Sequence, residues 1–127
     1  MKAQIKPYKP DDEYLTEEEC YITELSNSED DPGVSIARAR VRPGITTRWH
    51  CLNGTIERYS IISGEGLMEL AEQAPQQVRQ GDTVLIPSMC AQRITNIGNE
   101  DLVFLAICTP RFKDDIYQDI EDLKNRI

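Results

Sequence analysis

The chain has 127 residues, of which 39% are hydrophobic and 28% are charged. This length and composition predict one ordinary globular domain with a buried core. With 22 acidic and 14 basic residues the net charge is −8, which argues against a nucleic-acid partner and against an anionic membrane as a partner.

The sequence contains no apolar run of about 18 residues and begins without the apolar core of a signal peptide, so a cytoplasmic location is expected. The four cysteines, Cys20, Cys51, Cys90 and Cys108, are widely spaced and form no CxxC pair. That spacing predicts small reduced core residues rather than a zinc ribbon or a redox motif.

Residues 1–25 are predicted to form an N-terminal arm and the first strand, with the strand over residues 20–25. Thr16, followed by three glutamates, fits the start of a short capped helix. A lid or an extended arm fits the same residues equally well. The glutamates at 17–19 are interpreted as a solvated face.

Residues 26–110 are predicted to form a β-barrel. Ala37, Ala39 and Val41 alternate with arginines, which indicates a strand with one charged face. Further short strand-like segments follow, separated by turn residues and with no helix between them. This recurrence predicts an all-β sandwich or barrel.

Residues 111–127 are predicted to form a helical tail. Ile116, Ile120 and Leu123 fall at helical spacing, with Asp114 as the expected N-cap. The tail is expected to be a short amphipathic helix packed on the barrel or on a partner subunit.

The segment around Asn53-Gly54 carries the only histidine, His50. Asn-Gly between strand-like segments predicts a type I′ hairpin. Its register would pair His50 with Glu57 on one face, with Cβ atoms about 5 Å apart. Tyr59 shares that face by alternation, so the face is predicted to point inward. A buried His–Glu pair is either a structural hydrogen-bonded pair or part of a metal site.

Two motifs in the order found here resemble those of the cupin superfamily, small β-barrels of the jelly-roll type. In the first motif, Gly44, His50, Glu57 and Gly64 stand at the family's spacing. In the second motif, the matching residues are Gly81, Pro87 and Asn96. The resemblance implies an all-β, cupin-type jelly-roll barrel with a short C-terminal helix. The chain resembles a branch of small single-domain cupins that are often described as mannose-6-phosphate-isomerase-like.

The resemblance also implies a metal site, but the ligand positions depart from the family's pattern. Leu52 stands where the family has its second histidine, and Gln92 stands at the histidine of the second motif. The remaining donor set, His50, Glu57 and Gln92, would form a weak site for a divalent transition metal. Zinc, manganese, iron and nickel are the candidates, with waters completing the shell.

Other residues are predicted to line the pocket at the barrel mouth: Leu52, Ile61 and Asn96. Arg48 is a candidate anion anchor, with a solvated rim charge as the alternative. Cys90 is a minor candidate ligand, with a core thiol as the alternative. Tyr59 is a candidate proton donor, with a pocket-lining aromatic as the alternative.

These residues predict a metal-dependent isomerase or dioxygenase that acts on a small polar metabolite, with Glu57 as general base. The alternative is a metal-free module that binds a small ligand without catalysis. A third hypothesis is a structural partner domain that uses the acidic surface and the terminal helix. The resemblance implies a homodimer formed through a sheet edge or strand exchange.

Overall fold

The computed structural model describes residues 1–125, with side-chain surroundings through residue 123. The described residues form eleven strands, two short 3₁₀ helices and one short α-helix. The strands are β1 (Tyr14–Leu15), β2 (Tyr21–Ser26), β3 (Ser35–Val41), β4 (His50–Leu52), β5 (Ile56–Ser63), β6 (Glu65–Leu70), β7 (Gln76–Arg79), β8 (Thr83–Ile86), β9 (Gln92–Asn96), β10 (Leu102–Thr109) and β11 (Tyr117–Asp119). The 3₁₀ helices are Pro10–Asp12 and Asp114–Ile116, and α1 is Glu121–Asn125.

The strands form two antiparallel sheets. One has six strands in the order β1-β2-β3-β10-β5-β8, and the other has five in the order β11-β4-β9-β6-β7. The predicted all-β jelly-roll barrel is therefore confirmed. Neighbouring strands in each sheet are mostly distant in sequence, so the chain crosses repeatedly between the sheets.

The core lies between the inward faces of the two sheets. Strands of the six-stranded sheet contribute Val41, Ile61 and Phe104, and the five-stranded sheet contributes Met68 and Ile94. These side chains alternate with exposed or half-buried ones along most of the strands, as expected for sheets that have one face packed on a core.

The predicted hairpin at Asn53-Gly54 is wrong. β4 and β5 lie in different sheets, and His50 pairs with Gln92 of β9 instead of Glu57. Of the two turn residues only Gly54 has a positive φ, of 78°, so the turn is not type I′. Hydrogen bonds to distant parts of the chain hold this connection in place. The Gly54 N–H donates to Ser88 Oγ, and Thr55 Oγ1 donates to the Pro110 carbonyl.

The C-terminal tail differs in part from its prediction. A short helix is present, but it begins at Glu121, and the residues expected to form its first turns form a 3₁₀ turn and β11. β11 pairs with β4, placing Tyr117 opposite Leu52 and Asp119 opposite His50. The open edge of β4 thus satisfies backbone groups that a helix would have satisfied within itself.

The N-terminal segment enters the barrel. β1 pairs with β2, and β2 pairs with β3, so the six-stranded sheet begins inside the region predicted as an arm. Glu13 holds this segment against the sheet by accepting two hydrogen bonds from Arg40, the shorter of them 2.6 Å. In the described part of the chain, no helix has the length and apolar character needed to cross a membrane.

Candidate functional site

A cavity of about 290 Å³ lies between the sheets at one end of the barrel. Its walls come from β2, β3, β5 and β10 on one side and from β4 and β11 on the other. The turn after β1, which carries Glu17 and Glu18, lines part of the cavity. Residues 16–19 form a turn, so the expected capped helix is absent.

Glu57 is the central polar group of the cavity wall. It projects inward from β5 and is 8% exposed. Gln92 Nε2 donates to Glu57 Oε1 at 2.9 Å, and the Tyr59 hydroxyl donates to Gln92 Oε1 at 2.8 Å. Burial raises the pKa of Glu57 to about 7, and the nearby His50 and the Gln92 bond reduce that rise. Near neutral pH this carboxyl therefore exists in both protonation states.

His50 lies on the opposite wall, on β4. Its Nδ1 donates to the Arg48 carbonyl at 2.8 Å, and its ring stacks on Tyr117 with 5.1 Å between centroids. β11 supplies that tyrosine, so the strand found in place of the predicted helix orients the imidazole. A neutral imidazole that donates through Nδ1 keeps Nε2 as an acceptor.

Glu18 is a site residue that sequence reasoning missed. Its Oε2 lies 3.3 Å from His50 Nδ1, but that nitrogen's proton points to the Arg48 carbonyl. Within the described part of the chain this buried oxygen has no hydrogen-bond partner. Burial raises the pKa of Glu18. A carboxylate oxygen left unpaired in this way costs about 1–3 kcal/mol or more.

No local signal identifies Glu18. It belongs to a run of three glutamates, a pattern typical of a solvated face. Only the folded arrangement turns it inward: the Thr16 hydroxyl donates to the Cys20 carbonyl at 2.8 Å, and Glu19 takes a positive φ of 71°. The resulting tight turn places Glu17 and Glu18 in the cavity wall and leaves Glu19 outside it.

The structure brings only some of the predicted residues together. His50, Leu52, Glu57 and Tyr59 line the cavity. Gln92 is fully buried behind Glu57, and reaches the site only through its hydrogen bond to that carboxyl.

Four residues predicted to line the pocket lie elsewhere, and each is a correction. Arg48 points to the surface, where it makes two hydrogen bonds to Asp119. Ile61 packs in the core, and Cys90 packs against the edge of that core. Asn96 is buried, and its Nδ2 donates to the carbonyls of Val41 and Glu100, which ties two parts of the chain together.

All four cysteines are free thiols, with Cys20, Cys51 and Cys108 buried and Cys90 partly buried. Cys108 faces the cavity, and its Sγ lies 3.8 Å from Glu57 Oε2.

The residues present do not fit the transition metal that the family implies. Gln92 turns its amide N–H₂ toward Glu57 and has its carbonyl oxygen occupied by Tyr59. Leu52 offers no donor. The described residues contain no group of three or more His, Cys, Asp or Glu side chains arranged to hold a metal ion. A single imidazole and one carboxylate fall short of the three protein ligands usual in catalytic zinc sites.

The chain is similar to several known proteins. The chain is 33% identical over 126 residues to an uncharacterized protein of Methanocaldococcus jannaschii, covering 98% of this chain and 95% of the relative. It is 31% identical over 104 residues to the oxalate decarboxylase OxdC of Bacillus subtilis, covering 79% of this chain but 26% of that protein.

A solved structure of a predicted oxalate decarboxylase from Thermotoga maritima is also similar, with a TM-score of 0.66 and 28% identity. The match covers 72% of this chain and 80% of that one. The family model described as the cupin domain matches residues 37–108. Because that match spans more than half of the chain and includes β4, β5 and β9, this protein belongs to the cupin domain family.

Proposed function

We propose that the cavity is a metal-independent acid–base site, which binds a small polar molecule and moves a proton at one of its carbon atoms. The observation that carries this proposal is Glu57, a buried carboxyl in the cavity wall with a pKa of about 7. A general base works best when its pKa lies close to the working pH. The predicted isomerase-type chemistry is kept in this proposal, without its metal.

Glu57 would take a proton from a carbon of the ligand and return it to the same or a neighbouring carbon. The carboxyl ends the cycle as it began, so no net proton is consumed. Gln92 holds one carboxyl oxygen, which fixes the direction of the other toward the cavity. His50, with Nε2 as acceptor, would bind a hydroxyl or N–H group of the ligand.

Tyr59 receives a different role from the predicted proton donor. Its hydroxyl proton is already donated to Gln92, and burial raises the pKa of Tyr59 well above its ordinary value. It is therefore a positioning residue, which holds Gln92 in the orientation that supports Glu57.

The negative charge of the cavity wall limits the charge that a ligand can carry. Five acidic side chains line the cavity, namely Glu17, Glu18, Glu24, Glu57 and Asp114, and the described lining residues include no lysine or arginine. A dianion such as oxalate would meet like charge without a cationic anchor. We therefore do not transfer the oxalate named for two relatives to this chain, and expect a neutral or positively charged ligand.

The proposal is tested by isotope exchange. The protein is incubated in deuterated water with a library of small neutral and cationic metabolites, and mass spectrometry detects deuterium that enters at carbon. We expect at least one compound to gain deuterium, with the same rate after treatment with a chelator. Glu57→Gln should lose the exchange, whereas Glu69→Gln, in an ion pair with Arg93 outside the cavity wall, should keep it.

A metal-free binding module is the second candidate, and the hydrogen bonding of Glu57 favours it. Both carboxyl oxygens already have a neighbour, Gln92 on one side and Cys108 on the other, as in a structural carboxylate. A ligand that binds in the cavity without exchanging any carbon-bound hydrogen would support this candidate over catalysis.

A further inference from the structure

The cavity presents five carboxyl side chains to a ligand, and the lining residues within the described part of the chain include no lysine or arginine. Glu18 Oε2 is shielded from solvent and accepts no hydrogen bond within the described part of the chain. The nearby His50 Nδ1, at 3.3 Å, donates its proton to the Arg48 carbonyl instead. Glu57 and Glu18 both line this space. This arrangement favours a ligand group that donates hydrogen bonds and carries positive charge.

Aromatic rings complete the wall. Tyr14, Tyr59, Phe104, Phe112 and Tyr117 line the cavity. An ammonium group within about 6 Å of such a ring face is attracted by the ring's electron density. A wall that combines rings with carboxylates therefore favours a cation over a neutral polyol, because the positive charge is attracted by both the rings and the carboxylates.

The remaining wall restricts the size of the ligand. Ala37, Ala39 and Ala106 present only methyl groups, and the cavity volume of about 290 Å³ lies just below the usual range for small-molecule pockets. The ligand body is therefore small and partly apolar.

We infer that the cavity binds a small organic ammonium ion, with the Glu18 carboxylate as the acceptor for its N–H groups. This inference rests on the proposed small-molecule site and names the class of its ligand. Glu18 touches the ligand directly, and the turn that carries it, residues 16–19, becomes part of the specificity of the site. An ammonium supplies three N–H donors, enough to pair the free oxygen of Glu18 and to reach a second acceptor.

The test uses three probes that share one carbon chain and differ in the head group: n-butylammonium, n-butanol and butyrate. Binding is followed by NMR shifts of labelled protein at about pH 8.5, where an amine remains protonated and Glu57 is ionised. We expect saturable shifts at cavity residues with butylammonium, at an affinity at least about tenfold above that of butanol. Butyrate should give no saturable shifts.

Two variants distinguish a specific contact with Glu18 from an effect of the overall negative charge around the cavity. Glu18→Gln should reduce butylammonium affinity by about tenfold or more, to the level of butanol. Glu19→Gln removes the same charge from the neighbouring residue, which lies outside the cavity wall, and should change the affinity by less than about twofold. If Glu18→Gln fails to fold, Glu18→Asp carries the test, because it keeps the charge and should keep the preference for the cation.

The inference is overturned if butanol or butyrate binds as tightly as butylammonium, if none of the probes binds, or if Glu18→Gln and Glu19→Gln behave alike. Equal binding of butanol would contradict only the inference that the ligand is a cation. Deuterium exchange dependent on Glu57 would then still support the proposed function, so the two failures can be told apart.

Discussion

Burying Glu57 has a cost in stability that depends on pH. Its pKa of about 7 in the folded protein lies above its ordinary value of 4.5. Between these two values the folded state holds a proton that the unfolded state has lost, so stability falls as pH rises. Above about pH 7 both states are ionised and the full cost of the buried charge is present.

Replacing Glu57 by glutamine should therefore stabilise the protein in alkaline solution. The amide side chain of Glu57→Gln keeps an oxygen for the Gln92 bond and removes the buried charge. We expect the free energy of unfolding of this variant, relative to the wild type, to grow by about 2 kcal/mol between about pH 5.5 and about pH 8.5. Urea unfolding at the two pH values measures this change.

The exposed Glu19 provides the control, since Glu19→Gln should show no such growth. A difference between Glu57→Gln and wild type that stays constant with pH would mean that Glu57 titrates near its ordinary value. The role of general base near neutral pH would then lose its support.

The second residue-scale prediction concerns metal. Wild-type protein purified without a tag or added metal should hold less than about a tenth of a transition-metal ion per chain. Leu52 and Gln92 occupy two of the positions at which the family motifs have histidine, and His50 occupies another, so Leu52→His with Gln92→His should bind about one zinc ion per chain. Elemental analysis after dialysis measures both values. Near-stoichiometric metal in the wild type that disappears in His50→Ala would contradict the metal-independent proposal.

Single residues were predictable where the family motif names them. His50, Glu57 and Leu52 fall at motif positions, and all three line the cavity. Glu18 falls outside both motifs, and its inward position depends on the folded turn that carries it. Gln92 was found, but its orientation depends on Tyr59, and no sequence pattern shows which end of an amide faces a site.

At the scale of elements, the crossing of the chain from one sheet to the other depends on one glycine. Gly64 joins β5 of one sheet to β6 of the other, with φ at +87°. A Cβ there would lie 2.7 Å from the Asp101 carbonyl oxygen and 2.9 Å from Leu102 Cα. Both atoms belong to the backbone of β10 and the residue before it, so they cannot move without disturbing the sheet.

We therefore expect Gly64→Ala to destabilise the protein by about 3 kcal/mol, of which the left-handed φ accounts for about 1 kcal/mol and the clash for the rest. Gly44→Ala is the matched control, because Gly44 has a φ of +79° and no atom of the described residues lies within 4 Å of the added Cβ. That variant should lose only about 1 kcal/mol. Denaturant unfolding compares the two, and equal losses would show that backbone conformation alone sets the cost.

Secondary-structure elements were less predictable than single residues, because pairing with strands distant in sequence determines which element a segment forms. The Asn53-Gly54 signal is a strong local hairpin pattern, yet β4 pairs with β9 and β11 instead. The tail residues at 116–120 fit a helix by spacing, but three of them pair with the open edge of β4 as a strand. In both cases the local pattern was real and a tertiary pairing prevailed.

The whole molecule was the most predictable level. Two motifs in the right order identified the jelly-roll, because their glycines and proline mark connections that the barrel needs. The number of strands and the way the N-terminal segment joins the six-stranded sheet were not predictable, since β1 and β11 are short strands that form only against an existing edge.

The homodimer remains a prediction, and one surface fits a second copy of the chain. β8 is the outer strand of the six-stranded sheet and leaves one edge unpaired among the described strands. Next to that edge, Leu85 is 61% exposed, and Ile56 and Ile62 of β5 are also exposed. The outward positions of β5 and β8 carry no acidic residue, so two copies can approach there despite a net charge of −8 each.

Light scattering at micromolar concentration should then give twice the chain mass of 14.5 kDa. Leu85→Lys places a charge in the contact and should yield a monomer. Ile97→Lys, at an exposed apolar residue just after β9, should remain dimeric. A monomeric wild type, or a Leu85→Lys protein as dimeric as Ile97→Lys, would exclude this face. The cavity is built from residues of one chain, so the monomeric variant should still bind butylammonium, which separates assembly from ligand recognition.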